Sequence, residues 1–109
     1  MNEILIYEDI GVDWYGYGIS AKSLKDKLDR MSGDITVRIN SPGGDVFEGI
    51  AIYNLLKVRG VSVVVDGLAA SAASVIAMAG ENIAVGCGAM LMIHNPWTMT
   101  VGDAAEMDK

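Results

Sequence analysis

Three places in this sequence hold residue types that could do chemistry. The first is Ser71, within Gly67-Leu68-Ala69-Ala70-Ser71-Ala72-Ala73-Ser74-Val75-Ile76-Ala77-Met78-Ala79-Gly80. Nearly every residue in the stretch is small. Alanine is the strongest helix former, and nothing breaks a helix before Gly80. The apolar run Val61-Ser62-Val63-Val64-Val65 ahead of it reads as a strand, so Ser71 falls where strand gives way to helix. The hydroxyl is unshielded there, and the Ala72 amide sits at the positive end of a helix. A serine nucleophile and its oxyanion need those features. A packing-only reading competes, in which Ser71 caps a tight core helix.

The second place is Asn40-Ser41-Pro42-Gly43-Gly44-Asp45. Pro42 removes a backbone donor, and the two glycines allow positive φ. Asp45 with Glu48 three residues on predicts a capping box that opens a helix. The Gly-Gly pair then lies at a strand-to-helix turn, where amides can point into a cleft. A phosphate loop is a poor alternative, because no Gly-Lys-Ser/Thr follows. The third place is His94, the only histidine, at the end of the apolar run Ala89-Met90-Leu91-Met92-Ile93. A lone histidine there can be a general base or a structural hydrogen-bonding group.

The elements that must position these residues alternate. Glu3–Tyr7 reads as a strand, and Gly11 to Gly18 as a glycine-rich loop holding Trp14, Tyr15 and Tyr17. Ser20 caps a helix through Met31, with Leu24, Leu28 and Met31 on one stripe. Asp34–Asn40 alternates apolar and polar residues like a half-buried strand. A helix follows from Asp45, carries Val46 to Val58, and stops at Gly60. Asn82–Val85 and the buried run Ala89–His94 read as strands around a Gly86-Cys87-Gly88 turn. Asn95-Pro96-Trp97 breaks the second, and Gly102-Asp103 starts a last helix. The class is α/β, with the Asp34–Asn40, Val61–Val65, Ile83–Val85 and Ala89–Ile93 strands in a parallel-rich spiral.

Composition narrows the function. A chain of 109 residues with 51% hydrophobic content is one globular domain. A net charge of −6 argues against a nucleic-acid partner. Cys87 is the only cysteine, which excludes an intrachain disulfide and predicts a reducing, cytoplasmic setting. The start carries no signal-peptide pattern, and the longest low-charge stretch is too short for a bilayer span of roughly 20 residues. The seven methionines are scattered and read as core filler.

A Gly-Gly turn, a serine turn and a following histidine are together the parts of a serine acyl-transfer site. On these residues the chain resembles the ClpP family, the proteolytic subunits of the Clp protease. The resemblance rests on Ile39-Asn40-Ser41-Pro42-Gly43-Gly44, Ala51-Ile52-Tyr53, Gly67-Leu68-Ala69-Ala70-Ser71 and Met92-Ile93-His94-Asn95-Pro96. It is close from residue 34 onward and looser before. Asp13-Trp14-Tyr15-Gly16-Tyr17-Gly18-Ile19-Ser20 and His94-Asn95-Pro96-Trp97-Thr98 look most like its phage and prophage branch, which is linked to head maturation.

The resemblance implies a ββα spiral of the ClpP/crotonase kind, of which residues 1–109 supply the N-terminal portion as a single, truncated domain. It implies Ser71 as nucleophile, His94 as general base, and the amides of Gly44 and Ala72 as oxyanion hole. The family's aspartate lies further downstream than this chain reaches. Asp103 and Asp108 fall in the helix after His94 and do not match it. Loss of that aspartate costs a serine protease about 10⁴ in kcat, so the short chain is expected to be weakly active or inactive. No metal or cofactor is implied. The implied partners are a polypeptide substrate, further copies in a homo-oligomer, and an ATP-dependent unfoldase or phage capsid proteins. Trp14, Tyr15, Tyr17, Trp97 and Met99 are the expected exposed contacts. A crotonase-like acyl-CoA enzyme, or a non-catalytic piece of a protease assembly, are the competing readings.

Overall fold

Alternation along the strands decides which face of the sheet is dry. In the central strand Ile35–Ser41, residues Ile35, Val37, Ile39 and Ser41 are buried, while Thr36, Arg38 and Asn40 turn outward. The computed structural model describes residues 2–92. His94, Trp97, Met99, Asp103, Asp108 and the expected last helix lie outside the described residues.

The elements run β1 (Asn2–Ile6), α1 (Ala21–Asp29), β2 (Ile35–Ser41), α2 (Val46–Lys57), β3 (Ser62–Ala70), α3 (Ala72–Ala77), β4 (Asn82–Val85) and β5 (Met90–Met92). Strand order is β1-β2-β3-β4, with β5 also on β3, and every pairing is parallel. Sequential order with one crossover hand gathers the helices on a single face. Their inward residues, including Leu24, Leu28, Ile52, Leu56 and Ile76, close over Ile4, Ile6, Val37, Ile39, Val63 and Val65.

The α/β class and the parallel sheet are as expected, and several boundaries differ. β3 runs to Ala70, well past Val65. The alanines of Leu68-Ala69-Ala70 favour helix locally, but pairing with β5 and Ser41 holds them extended. α3 stops at Ala77, with Met78 as its C-cap. β4 and β5 follow end to end along one edge of β3, against Ser62–Val65 and Leu68–Ala70 respectively. The second was expected to be buried, yet Met90 and Met92 are 57% and 40% exposed at this open edge.

β3 is longer than its neighbour requires. Ile39 pairs with Val65 and Ser41 with Ala69, so β3 spends two extra residues across this step. The Asn40 side chain fills the gap, its Oδ1 accepting from the Leu68 amide at 3.1 Å. Position 67 must be glycine for this to work, because a side-chain carbon there would stand 2.5 Å from Asn40 Oδ1. On the open face Arg38 donates twice to Asp66, each bond 2.9 Å, and the Tyr7 hydroxyl donates to the same carboxylate. This clasp ties β2 to β3 and to the end of β1.

Gly67→Ala should destabilise the fold by about 1–3 kcal/mol through overpacking, read as a lower urea midpoint. The Arg38 hydrogen bonds, and then the Tyr7 bond, hold the Asp66 carboxyl below the usual carboxylate range. The clasp therefore contributes fully above the unfolded value of about 3.9 and is lost as pH falls through the folded value. Stability curves in that acid window should fall more steeply for the natural chain than for Asp66→Asn.

Candidate active site

The turn after β2 is held from below by a buried hydroxyl. Ser41 Oγ donates to the Glu8 carbonyl at 2.8 Å and accepts from the Gly43 amide at 3.1 Å. A parallel bridge then uses the Gly43 carbonyl, accepting from the Ile10 amide at 2.9 Å, and the Asp45 amide, donating to the Ile10 carbonyl at 2.9 Å. Alternation along the backbone turns the amide of Gly44 to the opposite edge. Gly44 is exposed at φ 147°.

Gly43 lies directly on the next strand-to-helix turn. At φ 108°, a side-chain carbon there would stand 2.6 Å from the Ala70 carbonyl oxygen and from Ser71 Cβ, and 3.1 Å from the Ala72 amide nitrogen. The structure thus brings the Gly43-Gly44 and Ser71-Ala72 turns together across 28 residues of sequence. Gly49 of α2 faces Ala72 from the other side.

Asp45 caps α2 as expected, its Oδ1 accepting from the Glu48 amide at 3.0 Å. The reciprocal half of the capping box is absent. Glu48 Oε1 instead accepts from the Ala21 amide at 2.6 Å, because the Asp45 amide is already spent on Ile10. One carboxylate therefore joins the starts of α1 and α2.

Ser71 occupies the N-cap position of α3 but does not act as an ordinary cap. Its φ of 55° and ψ of −126° lie outside the extended region caps adopt, and its side chain makes no capping bond. It is the one non-glycine residue at positive φ among the described residues. Such a conformation costs about 1–3 kcal/mol and persists only where its surroundings enforce it. Here the close contact with Gly43 and the buried Ala72 and Ala73 enforce it. The result is an exposed hydroxyl on a strained turn, beside the first amides of a helix, which have no intrahelical acceptor. Ser74 is the opposite case. It is 1% exposed, and its hydroxyl donates to the Ser71 carbonyl at 2.6 Å.

β5 runs parallel to β3 with Met92 beside Ala70, the residue before Ser71. His94 comes two residues later in sequence, outside the described residues. Asn40 and Ser41 stand in the turn motif quoted above, but residue type alone assigned neither side chain a role and gave Gly43 only its freedom of φ. The usable signal was a polar pair closing an alternating strand just before Pro-Gly-Gly.

The sequence matches the Clp protease family over residues 18–109. The chain belongs to the Clp protease family. It is 38% identical over 79 residues to the ATP-dependent Clp protease proteolytic subunit of Bacteroides fragilis, covering 69% of this chain and 38% of that protein. The corresponding subunit of Ligilactobacillus salivarius is 40% identical over 120 residues, covering 84% and 60%. Among solved structures, ClpP1 from Listeria monocytogenes superposes with a TM-score of 0.70 at 32% identity, covering 97% of this chain and 63% of that one. The chain spans less than two thirds of the length of each of these relatives. The shared fold fits the crossing of two strand-to-helix turns seen here.

Gly43→Ala should destabilise the chain by about 2–3 kcal/mol, since the new carbon meets fixed backbone at a positive φ. Chemical denaturation checks this.

Proposed function

We propose that this chain carries the nucleophile, base and oxyanion site of a Clp-type serine endopeptidase. The strained, exposed Ser71 pressed against the Gly43-Gly44 turn carries the reading. A serine on a sharp strand-to-helix turn presents its hydroxyl clear of neighbouring side chains, as nucleophile elbows do. In this reading Ser71 Oγ attacks the scissile carbonyl of a polypeptide while His94 takes its proton. The oxyanion that forms accepts hydrogen bonds from the amides of Gly44 and Ala72. Collapse expels the amine, which receives the proton from His94. Water, deprotonated in turn by His94, then releases the acyl group from Ser71.

The parallel run of β5 beside the end of β3 supports His94 as the base, since it carries the chain toward Ser71. The orienting aspartate belongs to no position of residues 1–109 in this reading, which treats them as one domain of reduced activity. No cofactor takes part. The acyl-CoA alternative has no use for a serine at 71 or a histidine at 94. The relatives' description as ATP-dependent subunits supports an unfoldase partner. Trp14, Tyr15 and Tyr17, at 101%, 84% and 72% exposure, support self-association. The single cysteine in residues 1–109 supports a reducing, cytoplasmic setting. The head-maturation role rests on the Asp13–Ser20 and His94–Thr98 stretches, and the relatives named above are bacterial subunits.

A fluorophosphonate should label Ser71 in a form of the protein that includes the orienting aspartate, and Ser71→Ala should abolish labelling. Ser74 should not substitute, because its hydroxyl is buried and committed. The 109-residue chain should label at least about 10³-fold more slowly. Labelling of Ser71→Ala at the natural rate would overturn the assignment.

A further inference from the structure

The inward positions of a buried strand are ordinarily apolar, and β2 breaks that rule at its last residue. Ile35, Val37 and Ile39 point into the core, and Ser41 takes the next inward place, fully buried. A buried hydroxyl costs stability unless its hydrogen bonds are made, so an apolar residue would serve packing better. Ser74, the other buried polar side chain among the described residues, bonds only within its own turn. Ser41 reaches across two segments, donating to the Glu8 carbonyl at 2.8 Å and accepting from the buried Gly43 amide at 3.1 Å. Positions that break a local rule in this way gather at functional sites.

The backbone that Ser41 holds has no preference of its own. Gly43 and Gly44 sit at φ 108° and 147°, and glycine has no side chain to confine it there. Their orientation must come from outside. The Gly43 amide is held by Ser41, and the Gly43 carbonyl accepts from the Ile10 amide at 2.9 Å. In a planar trans peptide the carbonyl and the following amide point opposite ways, so the Gly44 N–H is aimed away from Ile10. Ser41 also grips the Glu8 carbonyl, two residues before Ile10. One side chain thus holds both the turn and the segment it leans on. The same Gly43 is pressed against Ser71, where a side-chain carbon would stand 2.6 Å from Ser71 Cβ.

We infer that Ser41 is a positioning residue for the oxyanion site, its buried hydroxyl aiming the Gly44 amide without touching substrate. The inference rests on the hydrolase reading for the role of that amide. Without the hydroxyl, Gly43 keeps a buried N–H with no acceptor, and the glycine turn rotates to find one.

The test is fluorophosphonate labelling of Ser71 in the form that includes the orienting aspartate, since the phosphonyl oxygen takes the oxyanion's place. Ser41→Ala should lower the maximal labelling rate about 10–100-fold, the scale of a misplaced or lost donor, and leave the half-saturating concentration within about twofold. Ser41→Cys leaves no cavity but offers only a weak donor and acceptor, so it should be slowed similarly. It carries the test if Ser41→Ala fails to fold. Ser41→Thr keeps the hydroxyl and should label within about threefold of the natural rate. A role in packing alone predicts the reverse order, with Ser41→Cys natural and the crowded Ser41→Thr slowest. A natural rate in Ser41→Cys, or Ser41→Thr as slow as Ser41→Ala, overturns the positioning role and leaves the hydrolase reading standing. A natural chain that does not label at Ser71 overturns the hydrolase reading, and the positioning role with it.

Discussion

The contact between Gly43 and the Ser71-Ala72 turn is the constraint on which the rest depends. Two adjacent parallel strands each end in a turn that opens a helix, and parallel pairing brings both turns to the same edge of the sheet. Contact then requires that neither turn carry a side chain between them. Gly43 meets that requirement: a side-chain carbon there would stand only 2.6 Å from the Ala70 carbonyl oxygen and from Ser71 Cβ, too close to fit. The two extra residues of β3 set its height against β2, and Asn40 fills the space they open.

Strain at Ser71 follows from this contact. A helix entered through an ordinary cap would satisfy its first amides with its own hydroxyl. Here the backbone is turned so that the hydroxyl leaves those amides alone. The cost is a few kcal/mol at most, met by the buried alanines of α3 and the core beneath them. Preorganised donors that need not move during reaction are the usual source of oxyanion stabilisation. Ser74, inside the helix, is the contrasting case: its hydroxyl is buried and bonded to the Ser71 carbonyl.

The sheet's two faces have different demands. The helix-covered face is a continuous apolar core, whereas the open face is clasped by Arg38, Asp66 and Tyr7. α2 is apolar on its outer side as well, with Phe47 84% and Ile50 42% exposed. Membership of the Clp protease family accounts for the architecture.

Much of this was legible in the residues themselves. Strand alternation in Asp34–Asn40, the cap at Ser20, the stop at Gly60 and the hydroxyl at a strand-to-helix junction are local features, because period and turn chemistry act over a few residues. Ser71 and the Gly43-Gly44 pair could be singled out from their turns for that reason. The tertiary structure decided what lies between distant segments. It held Leu68-Ala69-Ala70 extended against their helical preference, since ladder bonds to β5 and β2 outweigh a few tenths of a kcal/mol of propensity. It gave Glu48 to Ala21 rather than to Asp45, because the Asp45 amide had a partner 35 residues away at Ile10. The closeness of Gly43 to Ser71, and the grip of Ser41 on Glu8, exist only once parallel strands are in register. Sequence spacing carries no record of that register.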